Sequence, residues 1–205
     1  MHSILEILEE STDSAGPDLI SLDDLKLALG IEDDSEDAAL QAAITFQSRI
    51  ITEYCNRRFG FAQALETFTF DRNEHMLTRQ ALWLTLYPVL EVIEISTAGA
   101  TAADYHFDPT SGRVWTEGNW TDTVAVTYAG GYDLPEQAPA RLQQAVIQAV
   151  NEGRATSSRD ASIREVQHGD TRIAYFTPTL STGSSGYLSA VVVDLIKPFR
   201  RLHVA

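Results

Sequence analysis

One cysteine, Cys55, occurs in 205 residues, so no internal disulfide is available and the fold must rest on burial and hydrogen bonding. Beside Tyr54, a lone thiol reads as a small packed side chain. No apolar run approaches the roughly 20 residues that cross a bilayer as a helix, so no membrane partner is expected. The first ten residues carry Glu6, Glu9 and Glu10 and no basic cluster, unlike a secretory signal. These absences describe a soluble protein made in a reducing cytoplasm. Positive charge is also scarce: 15 Lys and Arg stand against 29 Asp and Glu, for a net charge of −14. A reader of nucleic acid needs a basic face to neutralise phosphates, and that face is missing.

Motifs that carry chemistry are equally thin. The five histidines, His2, His75, His106, His168 and His203, are dispersed, with no helical pair and no cysteine partner, so no metal site is expected. There is no phosphate-cradling loop ending in Gly-Lys-Ser or Gly-Lys-Thr, and Gly130-Gly131 reads as a turn after a strand. Gly183-Ser184-Ser185-Gly186 is linker, not a nucleophile elbow. The cluster Glu32, Asp33, Asp34, Glu36 and Asp37 lacks the residue order of a calcium loop, so helix capping and solvation account for it. No catalytic residue, cofactor or metal ligand is expected. A small hydrolase would need paired carboxylates that the sequence does not offer.

What is present reads as α+β. Residues 20 to 59 predict a helical hairpin. Ser21 caps a first helix with Asp24 three residues on, Leu22, Leu25, Leu27 and Leu29 form its apolar side, and Gly30 stops it. Asp33, Asp34 and Ser35 offer N-caps for a second helix, with Glu36 and Asp37 in its first turn. Leu40, Ala43, Ile44, Ile50, Ile51 and Tyr54 recur at helical spacing. Residues 1 to 18 read as a frayed helix or arm.

From Ala64 to Tyr128 the period switches to two. Glu66, Phe68 and Phe70 alternate with Thr67, Thr69 and Asp71, and further short strands fall at Leu82–Tyr87, Val92–Ile95, Asp104–Phe107, Arg113–Trp115 and Thr123–Tyr128. The turn Asp108–Gly112 joins two of them. This predicts an antiparallel sheet or sandwich inserted over 61–132, with Trp83, Trp115 and Trp120 in its core or rim. Pro139 then opens a helix with Leu142, Ala145, Val146, Ala149 and Val150 on one side, ended by Gly153, within a bundle segment 133–162. Residues 163–176 read as a β-hairpin turning at His168-Gly169-Asp170, and 177–186 as a flexible linker. In 187–205, Tyr187, Leu188, Val191, Val192, Leu195 and Ile196 predict a helix, although the valine triplet also allows a strand. Pro198 stops that element. The helices together make a small bundle, with an extended C-terminal helix and tail.

Charge is unevenly placed. Residues 1 to 45 hold 12 acidic residues and one basic, Lys26, whereas from Arg141 to the end eight basic residues face five acidic. Two readings stand: a solvated acidic face, or subunits that meet acidic end to basic end. Arg57 and Arg58 read either as cations at a helix C-terminus or as partners for a neighbour's acidic turn.

Three stretches carry a family resemblance. They are the LDDLK helix with its acidic turn, long Ala/Ile helix and Tyr54-x-x-Arg57-Arg58-Phe59; the strand-to-helix join VAVTYAGGYDLPEQAPARLQQAVIQAV; and the end VVVDLIKPFRRLHVA. In this order they resemble the head–tail connector proteins of tailed phages, also called adaptor or head-completion proteins. The strand-rich insert and the later hairpin mark a long variant, of phage, prophage or gene-transfer-particle origin. The resemblance implies a structural, non-enzymatic subunit made in the bacterial cytoplasm and assembled at the head–tail junction. It implies a ring of twelve copies beneath the portal protein, with a stopper or tail-terminator protein on the tail side. Double-stranded DNA would pass through the lumen without sequence-specific binding. It also implies that Lys197, Pro198, Phe199, Arg200, Arg201 and Leu202 dock on the portal. Glu32, Asp33, Asp34, Glu36, Asp37, Arg57 and Arg58 are the candidates for subunit–subunit contact. An acidic, DNA-mimicking inhibitor is the alternative that the net charge suggests.

Overall fold

The computed structural model describes residues 2–10, 18–70, 80–97, 100–101, 104–120, 123–157, 165–168, 171–174 and 188–201. It divides into two compact units, each built from two stretches of chain: Asp18–Asn56 with Ala138–Ala205, and Met1–Pro17 with Arg57–Gln137.

The first unit is helical. Ser21 Oγ accepts from the Asp24 N–H (3.1 Å) at the start of α1 (Leu22–Leu29), and Gly30, at φ +67°, closes its far end. Leu25 is buried, but Leu27 is 82% exposed. An eight-residue helix lying on a bundle buries one narrow stripe, so the four leucines do not share a single buried side. The next helix, α2 (Asp37–Cys55), is capped by Glu36 without a side-chain bond. Asp33 instead accepts from the backbone and hydroxyl of Ser35 and closes a turn just ahead of the helix. None of the three expected caps sits at the N-cap position. Leu40, Ile44 and Ile51 are buried as the periodicity requires, along with Ser48, whose hydroxyl accepts from the Leu19 N–H.

In the same unit, α3 (Ala140–Ser157) follows Pro139. Gly153 does not end it; the helix continues to Ser157, because one glycine costs only about 1 kcal/mol in a helix that tertiary packing holds. Among the described residues, α4 is short (Ala190–Ile196), opened by Ser189 and followed by a 3₁₀ turn at Lys197–Phe199. It is a helix despite its valines. Leu142, Ala145, Val146 and Val150 of α3, with Leu188, Val192 and Ile196, complete the bundle core. α3 packs against α1, α2 and α4. Two further strands, β9 (Glu165–His168) and β10 (Thr171–Ala174), form an antiparallel hairpin with a sheet of its own. The expected linker 177–186 lies outside the described residues.

The second unit is a β-sandwich. Residues 2–10 form a strand, β1 (His2–Glu10), rather than a frayed helix or arm. Ser3, Leu5 and Ile7 alternate with exposed His2, Ile4, Glu6 and Leu8, and Leu5 and Ile7 pack on the core. That period-two pattern is short enough to be read as helix when no partner strand is in view. β1 pairs antiparallel with β2 (Ala62–Thr69) along its whole length, from His2 opposite Thr69 to Glu10 opposite Ala62. The sheet continues through β8 (Thr123–Gly130) and β4 (Val89–Thr97) to the two-residue β5 (Ala100–Thr101), in the order β1-β2-β8-β4-β5.

A second sheet has the order β3-β7-β6, from β3 (Ala81–Trp83), β7 (Arg113–Trp115) and β6 (His106–Asp108). One core joins the two sheets: Ala64, Phe68, Ile95, Val124, Val126 and Tyr128 from the larger, Leu82 and Val114 from the smaller. Trp120 is buried in it, Trp115 lies at its rim and Trp83 is half exposed under the Arg113 guanidinium. Of the expected 82–87 strand only Leu82 and Trp83 are extended ladder, within β3; Leu84 and Leu86 reach the core from the irregular stretch that follows. The ends of the insertion are tied to each other. The Tyr132 N–H donates to Phe59 O (2.7 Å) and the Phe61 N–H to Tyr132 O (2.8 Å). Gly131 makes this possible at φ +102°, where any Cβ would run into the Gly60 carbonyl.

Candidate assembly surfaces

The acidic turn before α2 is partly neutralised from within its own unit. Lys26 Nζ sits 2.6 Å from Asp34 and 2.7 Å from Asp37, and these contacts hold its ammonium well above the usual lysine range. Arg154 of α3 reaches Glu36 at 2.5 Å. Hydrogen bonds from the Ser35 hydroxyl and backbone hold Asp33 below the ordinary carboxylate value. Glu32 is exposed, and Asp34 stays exposed beside Lys26. The sequence brought the five carboxylates into one cluster, and the fold adds two cations, from α1 and α3, that spacing alone could not place there. Between α2 and α3, next to this ion pair, lies a shallow groove lined by Ala39, Ala43, Gln47, Val150 and Gly153.

Arg57 and Arg58 part company. Arg57 follows the end of α2 and is only 5% exposed. Its guanidinium stacks over Tyr87 (3.5 Å) and Phe59 (4.8 Å) and donates to the Tyr87 carbonyl. It is an internal strut of the β unit and not a cation of the last turn of α2. A guanidinium between two rings buries its flat faces while its edge keeps a hydrogen bond. Arg58 is exposed.

The C-terminal segment folds back on α2. The Arg201 N–H donates to Cys55 O (2.8 Å), and the Arg200 guanidinium lies 5.1 Å from the centroid of the Tyr54 ring. Cys55, buried as expected, directs its thiol toward Ile196 O (3.8 Å). Lys197, Pro198 and Arg200 are exposed, and Phe199 and Arg201 are half-buried. Leu202 lies outside the described residues. The α4 start is anchored on α3, with Ser189 Oγ donating to Glu152 (2.9 Å).

Two buried acids were not singled out by sequence reasoning. Glu66, wholly buried, accepts from the Thr85 N–H (2.8 Å), the Thr85 hydroxyl (2.6 Å) and the Tyr128 hydroxyl (2.9 Å). The signal was its parity: it alternates in step with Phe68 and Phe70, on the side that faces the core. Burial, with the Glu66 carboxylate second, pushes the Tyr128 phenol far up. Asp18 accepts from Gln41 (2.6 Å) and Thr45 (3.2 Å), and burial pushes its carboxyl up. Both acids hold chain segments in place. Among the described residues no cluster of His, Cys, Asp or Glu could hold a metal ion, and no helix is long and apolar enough to cross a membrane.

The family described as head completion protein matches residues 18–151, which take in α1, α2, β2 through β8 and most of α3. No curated protein matches the sequence. Three solved structures contain chains of similar fold. In the neck of an empty GTA particle computed with C6 symmetry the chain is 15% identical, with a TM-score of 0.55. In the neck of a native GTA particle computed with C12 symmetry the values are 16% and 0.52, and in the virion of a native gene transfer agent (GTA) particle 17% and 0.56. Each likeness covers 98% of this chain and 97% of the other. At these identities what is shared is the fold.

Proposed function

The chain belongs to the head completion protein family, and on that premise we propose that it is a structural adaptor at a head–tail junction. Twelve copies form a ring beneath a portal, link the capsid to the next tail-side connector, and surround the channel through which double-stranded DNA passes. The family match over residues 18–151 carries the reading. The likeness in fold to a chain from a particle neck computed with C12 symmetry supports the ring. The subunit performs no chemistry of its own.

Docking on the portal belongs to Lys197, Pro198, Phe199, Arg200, Arg201 and Leu202. Arginine and aromatic side chains anchor interfaces well, because they bury area and keep hydrogen-bonding edges. The exposed acids of the α2 turn, Glu32, Asp33 and Asp34, together with Glu36, Asp37 and Arg58, face the neighbouring subunit. A net negative lumen would repel phosphates and let DNA slide.

The test combines purified portal with the wild-type protein and with the Arg200→Glu/Arg201→Glu variant, followed by light scattering and electron microscopy. The wild type is expected to add a ring to the portal, and the variant to remain folded but unbound. Equal binding by the variant removes the docking role from the tail. Wild-type protein that ignores portal but blocks a DNA-binding enzyme overturns the adaptor reading in favour of a DNA mimic.

A further inference from the structure

The two sheet fragments of this molecule have complementary unsatisfied needs. Among the described residues β1 is the outer strand of the five-stranded sheet, paired with β2 through eight residues on one side. Along its other side no described strand meets its outward N–H and C=O groups. Such an edge is a template for another strand unless it is broken or guarded. The opposite edge is guarded: β4 carries two register shifts, and β5 is two residues long. β1 has one shift, between Ile7 and Glu9, and exposes Ile4 and Leu8. The β9–β10 hairpin is the converse case. It forms a two-stranded sheet by itself, and an isolated hairpin is marginally stable in water. Among the described residues it has no third strand.

We propose that β10 of one copy pairs with β1 of the next, extending that copy's sheet across the subunit boundary. Charge selects this pairing. β1 carries Glu6, Glu9 and Glu10 and no Lys or Arg, whereas Thr171–Ala174 carries Arg172 and no acid. Opposite charges on adjacent strands stabilise a pair, and like charges weaken it. Two β1 edges would therefore bring glutamates against glutamates, which disfavours symmetric pairing. Seven residues separate Ser157 from Glu165, a length of chain that spans at most about 25 Å. Donor and acceptor sit on different parts of one chain, so the contact is head-to-tail, the kind that can close into a ring. Both strands lie outside the family match. The inference rests on the ring reading above and names the backbone contact that joins its subunits.

Cross-linking tests it on the full chain. Copies carrying Ile4→Cys, Glu6→Cys or Leu8→Cys are mixed with copies carrying Thr171→Cys or Arg172→Cys, assembled on portal and oxidised. At least one mixture is expected to give a disulfide-linked dimer that the wild type, with Cys55 alone, does not give. Arg172→Glu should weaken ring formation about threefold, and Glu6→Arg in the same chain should restore it. Rings that assemble without a cross-link in any mixture overturn the strand pairing and leave the ring reading intact. A doubly substituted chain that closes only on itself also overturns it. Wild-type protein that never assembles overturns both.

Discussion

Tyr128 shows how much one side chain can be asked to satisfy. Its hydroxyl donates to Glu66 and accepts from the Leu86 N–H (3.1 Å), so it joins β8 to β2 and to the stretch after β3. Tyr128→Phe would leave that N–H without its partner and take one of the two hydrogen bonds from Glu66 Oε2, which keeps the Thr85 N–H, and should cost about 2 kcal/mol, measured by urea unfolding. Asp18 offers a pH readout. Its folded carboxyl is raised above 3.8 by burial, so the folded state holds the proton more tightly than the unfolded chain. The stability this adds is complete below the ordinary carboxylate value and disappears as pH rises through the raised one. Asp18→Asn should flatten that part of the stability profile, recorded between about pH 3 and pH 7. Neither residue stands out by type. Glu66 could have been suspected from its parity among phenylalanines, but Asp18 lies just after a Gly-Pro break and gives no pattern to read.

At the scale of elements, amphipathic period carried most of the information. α2, α3 and the strands β2 and β8 fall where their apolar spacing puts them, because each buries a repeating face, and α1 falls between its expected Ser21 and Gly30 caps. The misreadings sit where local sequence allows two states. β1 is one, since HSILEILEE satisfies a strand only when β2 lies beside it. Gly153 is another. It stands inside α3 with nothing within 4 Å of where a Cβ would lie, so Gly153→Ala should add about 0.5–1 kcal/mol of stability, read as a higher unfolding midpoint. A lower midpoint would mean that the glycine is needed for close packing. The residue also lines the groove between α2 and α3, so a larger side chain there, such as Gly153→Leu, would show whether assembly uses it.

For the whole molecule, charge asymmetry is the property most exposed to experiment. The acidic turn already has Lys26 and Arg154 as internal partners, so only part of its charge remains for a neighbour. Ring assembly should therefore weaken, without vanishing, as salt rises from about 50 to 500 mM, where screening shortens the reach of exposed charges to a few ångströms. Assembly followed by light scattering across that range checks it. A salt-independent association would assign the interface to apolar and backbone contacts alone. The insertion of one unit within the other follows the same economy of contacts: its first and last segments are tied through Phe59, Phe61 and Tyr132, so the helical chain can leave and rejoin with its ends held together.

Period, capping chemistry and composition were enough by themselves to set the α+β class, the helical hairpin and the strand-rich insert, because each depends on neighbours a few residues apart. The burial of Arg57, the cations that reach the acidic turn and the network around Glu66 were settled only in three dimensions. Each joins residues from 8 to 118 positions apart, and no local pattern reports which distant segment will supply a partner.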